Sequence, residues 1–287
     1  MIIKERDAGR REVKVLCSRQ CRGDQEAQFK PSQSLPLQLQ TRMRQSTSMT
    51  NYDITIISDT VCPWCFIGLR RLQAAISSHL SKYPGDSFSL QWKPFQLNPT
   101  APKGQTVDKM AKYEKSFGSE GAQQVIQCLQ SDAQGTGIQF SFKGRIGNTL
   151  DSHRLLEFAR LKQEQDQRQG ICQPSGIRNL QTKVAEELFS AFFENEKDIT
   201  RIDVLVEAAG RAGMYEKEAR AFLESDRLAK QVAAEADESR NVEGVNGVPH
   251  FSINGMFDVG GAQESRAFTM LFERVKKREA SVKNANL

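Results

Sequence analysis

Residues 53–65 read DITIISDTVCPWC and bring two cysteines to the point where a strand passes into a helix. Residues 53–57 are short, β-branched and apolar, as in a buried strand. Pro63 suits the first helical position, because its missing N–H would be unsatisfied there anyway. Beyond it, apolar side chains recur at helical spacing, at Phe66, Leu69, Leu72, Ala75, Ile76 and Leu80. The pattern therefore predicts that Cys62 lies at a helix N-terminus.

This position has a chemical consequence for Cys62. Free backbone N–H groups and the helix dipole favour an anion at a helix N-terminus. Thiols in such positions and in C-x-x-C motifs ionise more readily than free thiols, and the thiolate is the nucleophile of disulfide exchange. Cys65 follows one turn later, shielded by the helix. The spacing predicts that Cys62 attacks a disulfide and Cys65 resolves the mixed disulfide.

A zinc site or a pair of structural thiols is the alternative interpretation of the two cysteines. A zinc site needs a second pair of ligands. The candidates for that pair are Cys17 and Cys21, which lie in a polar segment with no predicted fold. Redox chemistry is therefore favoured, and no metal is predicted.

The whole chain excludes several classes of function. Its 287 residues can bury a large core. No apolar run approaches the roughly 20 residues of a membrane span, so no membrane partner is expected. Six irregularly spaced cysteines do not resemble the framework of a small secreted protein. The net charge of +5 is concentrated in residues 1–48, so the remainder is near neutral and no nucleic-acid partner is expected.

Residues 1–48 are rich in Gln, Ser and Arg and lack hydrophobic periodicity, which predicts disorder. They hold no apolar segment of a secretory signal. Arg- and Ser-rich composition allows a mitochondrial presequence, but the acidic residues argue against one. A cytoplasmic location is predicted, with a mitochondrial one as the alternative. Because structure is predicted to begin directly after it, Met49 is a candidate for the natural start.

Further along the chain, the predicted elements follow a β-rich, helical, β-rich order. Residues 88–97 alternate as a half-buried strand, which completes a parallel βαβ unit. Predicted helices cover 108–117, 120–134, 151–162, 179–196, 216–223 and 227–241, and a capping box at 200–203 opens another that Gly213 closes. Residues 138–142 are predicted to be extended, and 163–177 to form a loop in which Cys172 is incidental. Residues 247–261 predict a β-hairpin with Asn254 and Gly255 as its two-residue turn, followed by a helix over 264–277.

Three motifs in this order resemble the DsbA superfamily, most closely its FrnE-like branch. They are DTVCPWCFIG at 59–68, GNTLDSHRL at 147–155 and GVPHFSING at 247–255. The resemblance runs from about residue 52 to 278 and implies an α/β thioredoxin fold with an inserted all-helical domain. The domain boundaries are then a disordered extension over 1–50, thioredoxin-like parts over 51–100 and 244–280, a helical insertion over 101–243, and a tail over 281–287.

The resemblance also implies the roles of individual residues in a dithiol–disulfide oxidoreductase or isomerase. Cys62 would attack and Cys65 would resolve. In thioredoxin-like proteins a cis-proline loop faces the redox cysteines, so we expect Val248–Pro249 to be cis although only about 5–6% of X-Pro bonds are. Pro249 would shape the substrate groove and the backbone of Val248 would pair with an extended substrate. Trp64 is expected to be an exposed apolar contact.

Two histidines are weaker candidates for substrate binding. His153 lies in the first turn of a predicted helix; a hydrogen-bonded structural role is expected, with substrate contact or proton transfer as the alternative. His250 follows Pro249 and is a candidate for approaching the cysteines. No histidine lies between the cysteines, so we expect a reduction potential between the extremes of about −270 and −120 mV.

Two other functions compete with the oxidoreductase. The chain also resembles 2-hydroxychromene-2-carboxylate isomerases and kappa-class glutathione transferases, whose active position carries a serine that activates glutathione. Residues 261–263 before the last helix would then cradle a glutathione carboxylate. The other alternative is a non-catalytic redox sensor. The expected partners are disulfide or thiol substrates, with glutathione as a reductant or co-substrate and no resident cofactor; no oligomeric state is predicted.

Overall fold

The computed structural model describes residues 49–170, 176, 179–241, 245 and 247–285. The elements in chain order are β1 (Asn51–Ser58), α1 (Pro63–Lys82), β2 (Ser87–Pro94), β3 (Thr106–Asp108), α2 (Lys109–Asp132), β4 (Arg145–Gly147), α3 (Leu150–Arg168), α4 (Leu180–Phe193), α5 (Ile202–Ala212), α6 (Glu216–Leu223), α7 (Ala229–Asn241), β5 (His250–Ile253), β6 (Phe257–Gly260) and α8 (Ser265–Ala285). The predictions for the extension over 1–48, for Cys17 and Cys21, and for Cys172 lie outside the described residues.

A four-stranded sheet in the order β2-β1-β5-β6 forms the centre of the thioredoxin-like part. β1 pairs with β2 in parallel, which confirms the predicted βαβ unit, and with β5 in antiparallel. Side chains alternate between the two faces of a strand. Tyr52, Ile54 and Ile56 are buried on the face of β1 that α1 and α8 cover, with Tyr52 packed on Phe272 of α8 at 5.3 Å between ring centroids.

The helical insertion packs against β2, an edge strand of the sheet. α3, α4 and α7 all pack against β2. Trp92 of β2 anchors this contact, because its backbone N–H donates to Gln181 Oε1 at 2.9 Å and its indole N–H donates to Thr182 Oγ1 at 3.0 Å. The insertion is therefore fixed to the sheet edge through α4.

The predicted helices of the insertion are present, and local signals explain their ends. The two helices predicted on either side of Gly118 are segments of α2, which bends at that residue (φ 73°, ψ 164°). Asn179 caps α4 by accepting from the backbone N–H of Thr182. Gly213 ends α5 in the left-handed conformation, φ 100°, as predicted.

Other predicted boundaries are wrong. α3 continues to Arg168, so the first six residues of the predicted loop 163–177 are helical. α8 runs to Ala285, so residues 281–285 are helical and not a tail. α5 begins after Arg201 without a side-chain cap, so 200–203 is not a capping box. Residues 138–142 belong to no strand, and their predicted extended backbone stays a prediction.

The hairpin β5–β6 has a longer turn than predicted. Ile253 pairs with Phe257, so three residues form the turn, with positive φ at Asn254 (52°) and Gly255 (62°). The side chain of Asn254 also accepts from the backbone N–H of Asp53 at 2.8 Å, which ties the turn to β1. This third residue is what the two-residue interpretation missed.

The small antiparallel ladder of β3 with β4 was not predicted. Each strand has three residues, too few to carry a readable alternation. None of the described helices has the length and apolar character needed to cross a membrane.

Candidate active site

Cys62 is the N-cap residue of α1, with an extended backbone (φ −90°, ψ 114°) and Pro63 as the next residue. The backbone N–H of Cys65 donates to the Cys62 carbonyl at 3.0 Å, which closes the first turn. The Cys62 N–H donates in turn to the Asp59 carbonyl at 3.1 Å. The predicted placement of both cysteines at the strand–helix junction is confirmed.

The start of β5 faces this turn. The Val248–Pro249 peptide bond is cis, as predicted. The Cys62 Sγ lies 3.6 Å from the Val248 carbonyl oxygen, to which the thiol donates. The two segments lie 186 residues apart in the chain, and the antiparallel pairing of β1 with β5 brings them together.

The surroundings of Cys65 disfavour its thiolate. Burial raises the pKa of the Cys65 thiol well above its usual value, and a hydrogen bond with Cys62 and the charge of Cys62 raise it further. Contacts with Ser58 and the Asp59 backbone offset part of this rise. Cys65 is therefore a neutral thiol at pH 7.

The exposure predicted for Trp64 is wrong. Only 5% of this residue is exposed, and its indole N–H donates to Asp132 Oδ2 at 3.4 Å. Arg71 fixes the same end of α2, donating to the Asp132 carbonyl at 2.9 Å and to the Ala262 carbonyl at 2.7 Å. The last turn of α2 therefore covers the side chain between the two cysteines.

His153 lies in a buried network beneath the cysteine loop. Its Nε2 is 3.0 Å from the Phe95 carbonyl oxygen and 3.4 Å from Asp59 Oδ1. Asp59 is itself fully buried and accepts from the Leu97 N–H at 2.7 Å. These bonds fit the structural role expected of His153, and they tie α3 to the loop that carries Cys62.

His250 points away from α1. Its Nε2 is 3.1 Å from Asp258 Oδ1 on β6. Phe251, the next residue, faces α1 and lies against Gly68. A Cβ at position 68 would be 3.0 Å from Phe251 Cζ. Since neighbouring residues of a strand point to opposite faces, His250 lies on the other face of the sheet.

Two backbone N–H groups of residues 261–263 are already hydrogen-bonded. The Gly261 N–H donates to the Pro249 carbonyl at 2.8 Å, and the Gln263 N–H to the Gly261 carbonyl at 2.9 Å. These two N–H groups are therefore not available to cradle the carboxylate of glutathione. Within the described part of the chain, no three His, Cys, Asp or Glu side chains are grouped to hold a metal ion.

A cavity of about 460 Å³ adjoins the cysteine turn. Val61, Pro63 and Trp64 line one side, and Tyr113 and Phe117 of α2 line another. Burial raises the pKa of the Tyr113 phenol, and the charge of Cys62 raises it further. Sequence reasoning missed this wall, because no motif in α2 distinguishes it from an ordinary amphipathic helix.

Comparison with known proteins identifies the class of this fold and site. The model of the DSBA-like thioredoxin domain family matches residues 53–272. The chain therefore belongs to the DSBA-like thioredoxin domain family, as the three motifs indicated. A curated relative, the uncharacterized protein YwbO of Bacillus subtilis, is 24% identical over 161 residues, which cover 56% of this chain and 66% of that protein. The match thus spans slightly less than two thirds of that relative.

Solved structures share the same architecture. A probable DsbA oxidoreductase from Streptomyces coelicolor has a TM-score of 0.66 and 25% identity, over 79% of this chain and 90% of that chain. A 2-hydroxychromene-2-carboxylate isomerase (TM-score 0.52, 12% identity, 80% and 98% coverage) shares the fold. So does the cytosolic disulfide reductase DsbM from Pseudomonas aeruginosa with GSH (TM-score 0.50, 13% identity, 80% and 99% coverage).

Proposed function

We propose that the protein catalyses thiol–disulfide exchange, with Cys62 as the attacking cysteine and Cys65 as the resolving cysteine. The observation that carries this proposal is the asymmetry of the pair. Cys62 lies at the start of α1 beside the Val248 carbonyl. Both cysteines are buried, and Cys65 lies inside the first turn of α1, where burial raises the pKa of its thiol. Membership of the DSBA-like family supports the same chemistry.

The dithiol of Cys62 and Cys65 supplies both electrons of the proposed reaction. The Cys62 thiolate attacks one sulfur of a disulfide, the S–S bond breaks, and the departing sulfur leaves as a thiolate with the electron pair. Cys65 then loses its proton and attacks the Cys62 sulfur, which releases the second thiol. The substrate gains two electrons and two protons, and the Cys62–Cys65 dithiol becomes a disulfide. The reverse sequence oxidises a dithiol.

Substrate contacts are proposed on the β5 side. The backbone of Val248 pairs with an extended substrate as an added strand, and Pro249 shapes the groove beside it. Trp64 contributes a wall and not an exposed contact, because α2 covers it. His153 and His250 are proposed to hold the loop and the β5–β6 hairpin in place through Asp59 and Asp258.

The proposed location is the cytoplasm, where thiols are kept reduced and reduction or isomerisation is favoured. Glutathione would then return the disulfide to the dithiol. The cytosolic disulfide reductase with GSH shares this fold, and the support for the proposal is this shared fold alone. The mitochondrial alternative rests on residues outside the described range.

The glutathione-dependent isomerase or transferase is the less favoured function. The chain keeps a cysteine where those enzymes typically use a serine, and a second thiol lies one turn further on. Two N–H groups of the proposed glutathione cradle are already bonded within the loop. Both observations favour dithiol chemistry.

Substitution of each cysteine tests the proposal. With glutathione and glutathione reductase supplied, the reduction of bis(2-hydroxyethyl) disulfide should fall to background in Cys62→Ser. Cys65→Ser should accumulate the mixed disulfide on Cys62, detected as a mass increase of one substrate thiol. Turnover in Cys65→Ser at the wild-type rate, without that adduct, would favour the transferase. A single stoichiometric reaction of the wild type without turnover would favour the redox sensor.

A further inference from the structure

The cavity beside the cysteine turn has the dimensions of a small-molecule site. Its volume of about 460 Å³ lies in the range of roughly 300–1,000 Å³ found for such sites. It lies where the thioredoxin-like part meets α2 and the β3–β4 ladder. The two chain neighbours of Cys62, Val61 and Pro63, both form part of its wall. A molecule in the cavity therefore lies beside the turn that carries Cys62.

The walls of the cavity are mainly apolar. Leu97 and Pro102 contribute from the segment after β2, and Val107 and Ile146 from the β3–β4 ladder. Val107 is 51% exposed, so its apolar side chain is accessible at the cavity. These surfaces favour a ligand with a hydrophobic or aromatic body.

The accessible charged side chains around the cavity are positive. Lys112 and Lys115 of α2 line it, and Lys115 is exposed while Lys112 is half-buried. The carboxylate that also lines it, Asp59, is fully buried and accepts from the Leu97 N–H and pairs with His153. The cavity therefore presents cations at an apolar pocket, which is complementary to an anion.

We infer that this cavity binds small disulfides whose sulfur is attached to an apolar body that carries a carboxylate. This inference rests on the proposed thiol–disulfide exchange and adds its substrate class. The apolar body lies between the cysteine turn and α2, the carboxylate faces Lys112 and Lys115, and the disulfide reaches Cys62. Attack then proceeds as above: Cys62 bonds to one sulfur of the disulfide and the other sulfur leaves as a thiolate. Attack of Cys65 on the Cys62 sulfur then releases the bound half as the second thiol.

Two aromatic disulfides that differ in charge test this assignment. 5,5′-Dithiobis(2-nitrobenzoate) carries carboxylates, and 4,4′-dithiodipyridine carries none. The rate constants of the reduced full-length protein are measured with both, and the Cys62→Ser background is subtracted from each. The double variant Lys112→Gln/Lys115→Gln should lower the ratio of the anionic to the neutral rate by about fivefold. Lys183→Gln removes a lysine from an exposed position of α4 and is the matched control, which should leave the ratio unchanged.

Filling the cavity provides the second test. Ala111 lines it from an exposed position near the start of α2. Ala111→Phe should slow both aromatic disulfides by about tenfold, because the pocket no longer admits the ligand body. Its alkylation by iodoacetamide, which needs no pocket, should stay at the wild-type rate.

The outcomes separate this inference from the proposed function. An unchanged charge ratio in the double lysine variant would overturn the substrate class, even if Cys62→Ser abolishes the reaction. An Ala111→Phe protein that reacts at the wild-type rate with both aromatic disulfides would overturn the cavity as the binding site. If Cys62→Ser reacts as the wild type does, the proposed exchange itself fails.

Discussion

The cysteine side and the helical side of the site are built by the chain in different ways. The cysteine side consists of residues 59–68 and the Val248–Pro249 segment, and each part is a short contiguous motif. The helical side consists of α2 and the β3–β4 ladder, in which Thr106–Asp108 meets Arg145–Gly147 from the far end of α2. In the proposed reaction, the cysteine side supplies the reacting atoms. In the same proposal, the helical side limits which molecules reach them, because the last turn of α2 covers Trp64 and its first turns line the cavity.

Replacing Gly68 with a larger residue should disrupt the packing of the cysteine side and cause the largest loss of stability. A Cβ at this position would lie 3.0 Å from Phe251 Cζ and 3.1 Å from Pro249 Cγ, so a valine must displace the start of β5. We expect Gly68→Val to lower the free energy of unfolding by about 1–3 kcal/mol, the usual cost of overpacking. Urea denaturation measures the change.

The control for this prediction is the smaller substitution. Gly68→Ala adds only the Cβ, which a shift of a few tenths of an ångström in the Phe251 ring accommodates. It should cost less than Gly68→Val. Equal stability of the valine variant and the wild type would show that β5 does not press on α1 at this point.

Replacing Asp132 should weaken the contact between the two sides, with a smaller loss of stability than the Gly68 substitution. The carboxylate accepts from the Trp64 indole N–H at 3.4 Å. A buried donor left without a partner costs about 1–3 kcal/mol, so we expect Asp132→Ala to lie at the low end of that range. Cys62 should also be alkylated faster by iodoacetamide, since the end of α2 no longer holds Trp64.

Asp132→Asn is the matched variant, because its amide oxygen can still accept from the indole. It should retain most of the stability and the slow alkylation. If the alanine and asparagine variants behave alike, the Trp64 contact does not link the two sides.

A pH-dependent effect of Lys109 should test the helical side alone. This lysine is 1% exposed, and its Nζ donates to the Phe192 carbonyl at 2.7 Å. Burial lowers its pKa to about 8. Between this value and its usual one of about 10.4, the unfolded chain binds more protons than the folded one, so stability rises with pH. The contribution is full above the unfolded pKa and is lost as pH falls through about 8.

Lys109→Met removes the titrating group. The stability of the wild type relative to this variant should therefore increase from pH 8 to pH 10, in urea denaturation followed by circular dichroism. A difference that stays constant over this interval would contradict the lowered pKa. The Cys62 reaction should be unaffected at pH 7 in either case.

The same division between the two sides explains what could be predicted from the sequence. The β1–α1 junction and the helical insertion were predicted correctly because each has a contiguous signal. The cis bond before Pro249 was predicted correctly from the family resemblance. The burial of Trp64 was missed, since it depends on Asp132, 68 residues away. The β3–β4 ladder was missed because its three-residue strands carry no period, and the extra turns of α3 and α8 because polar helical residues resemble loops.

The redox equilibrium of Cys62 and Cys65 is the most direct test of the account. The full-length protein would be equilibrated in glutathione buffers, quenched by thiol trapping, and analysed by mass spectrometry. We predict a reversible intramolecular disulfide with a reduction potential between about −270 and −120 mV, absent in Cys62→Ser and in Cys65→Ser. Failure to form that disulfide, with glutathione bound stably instead, would contradict the account and favour the isomerase or transferase.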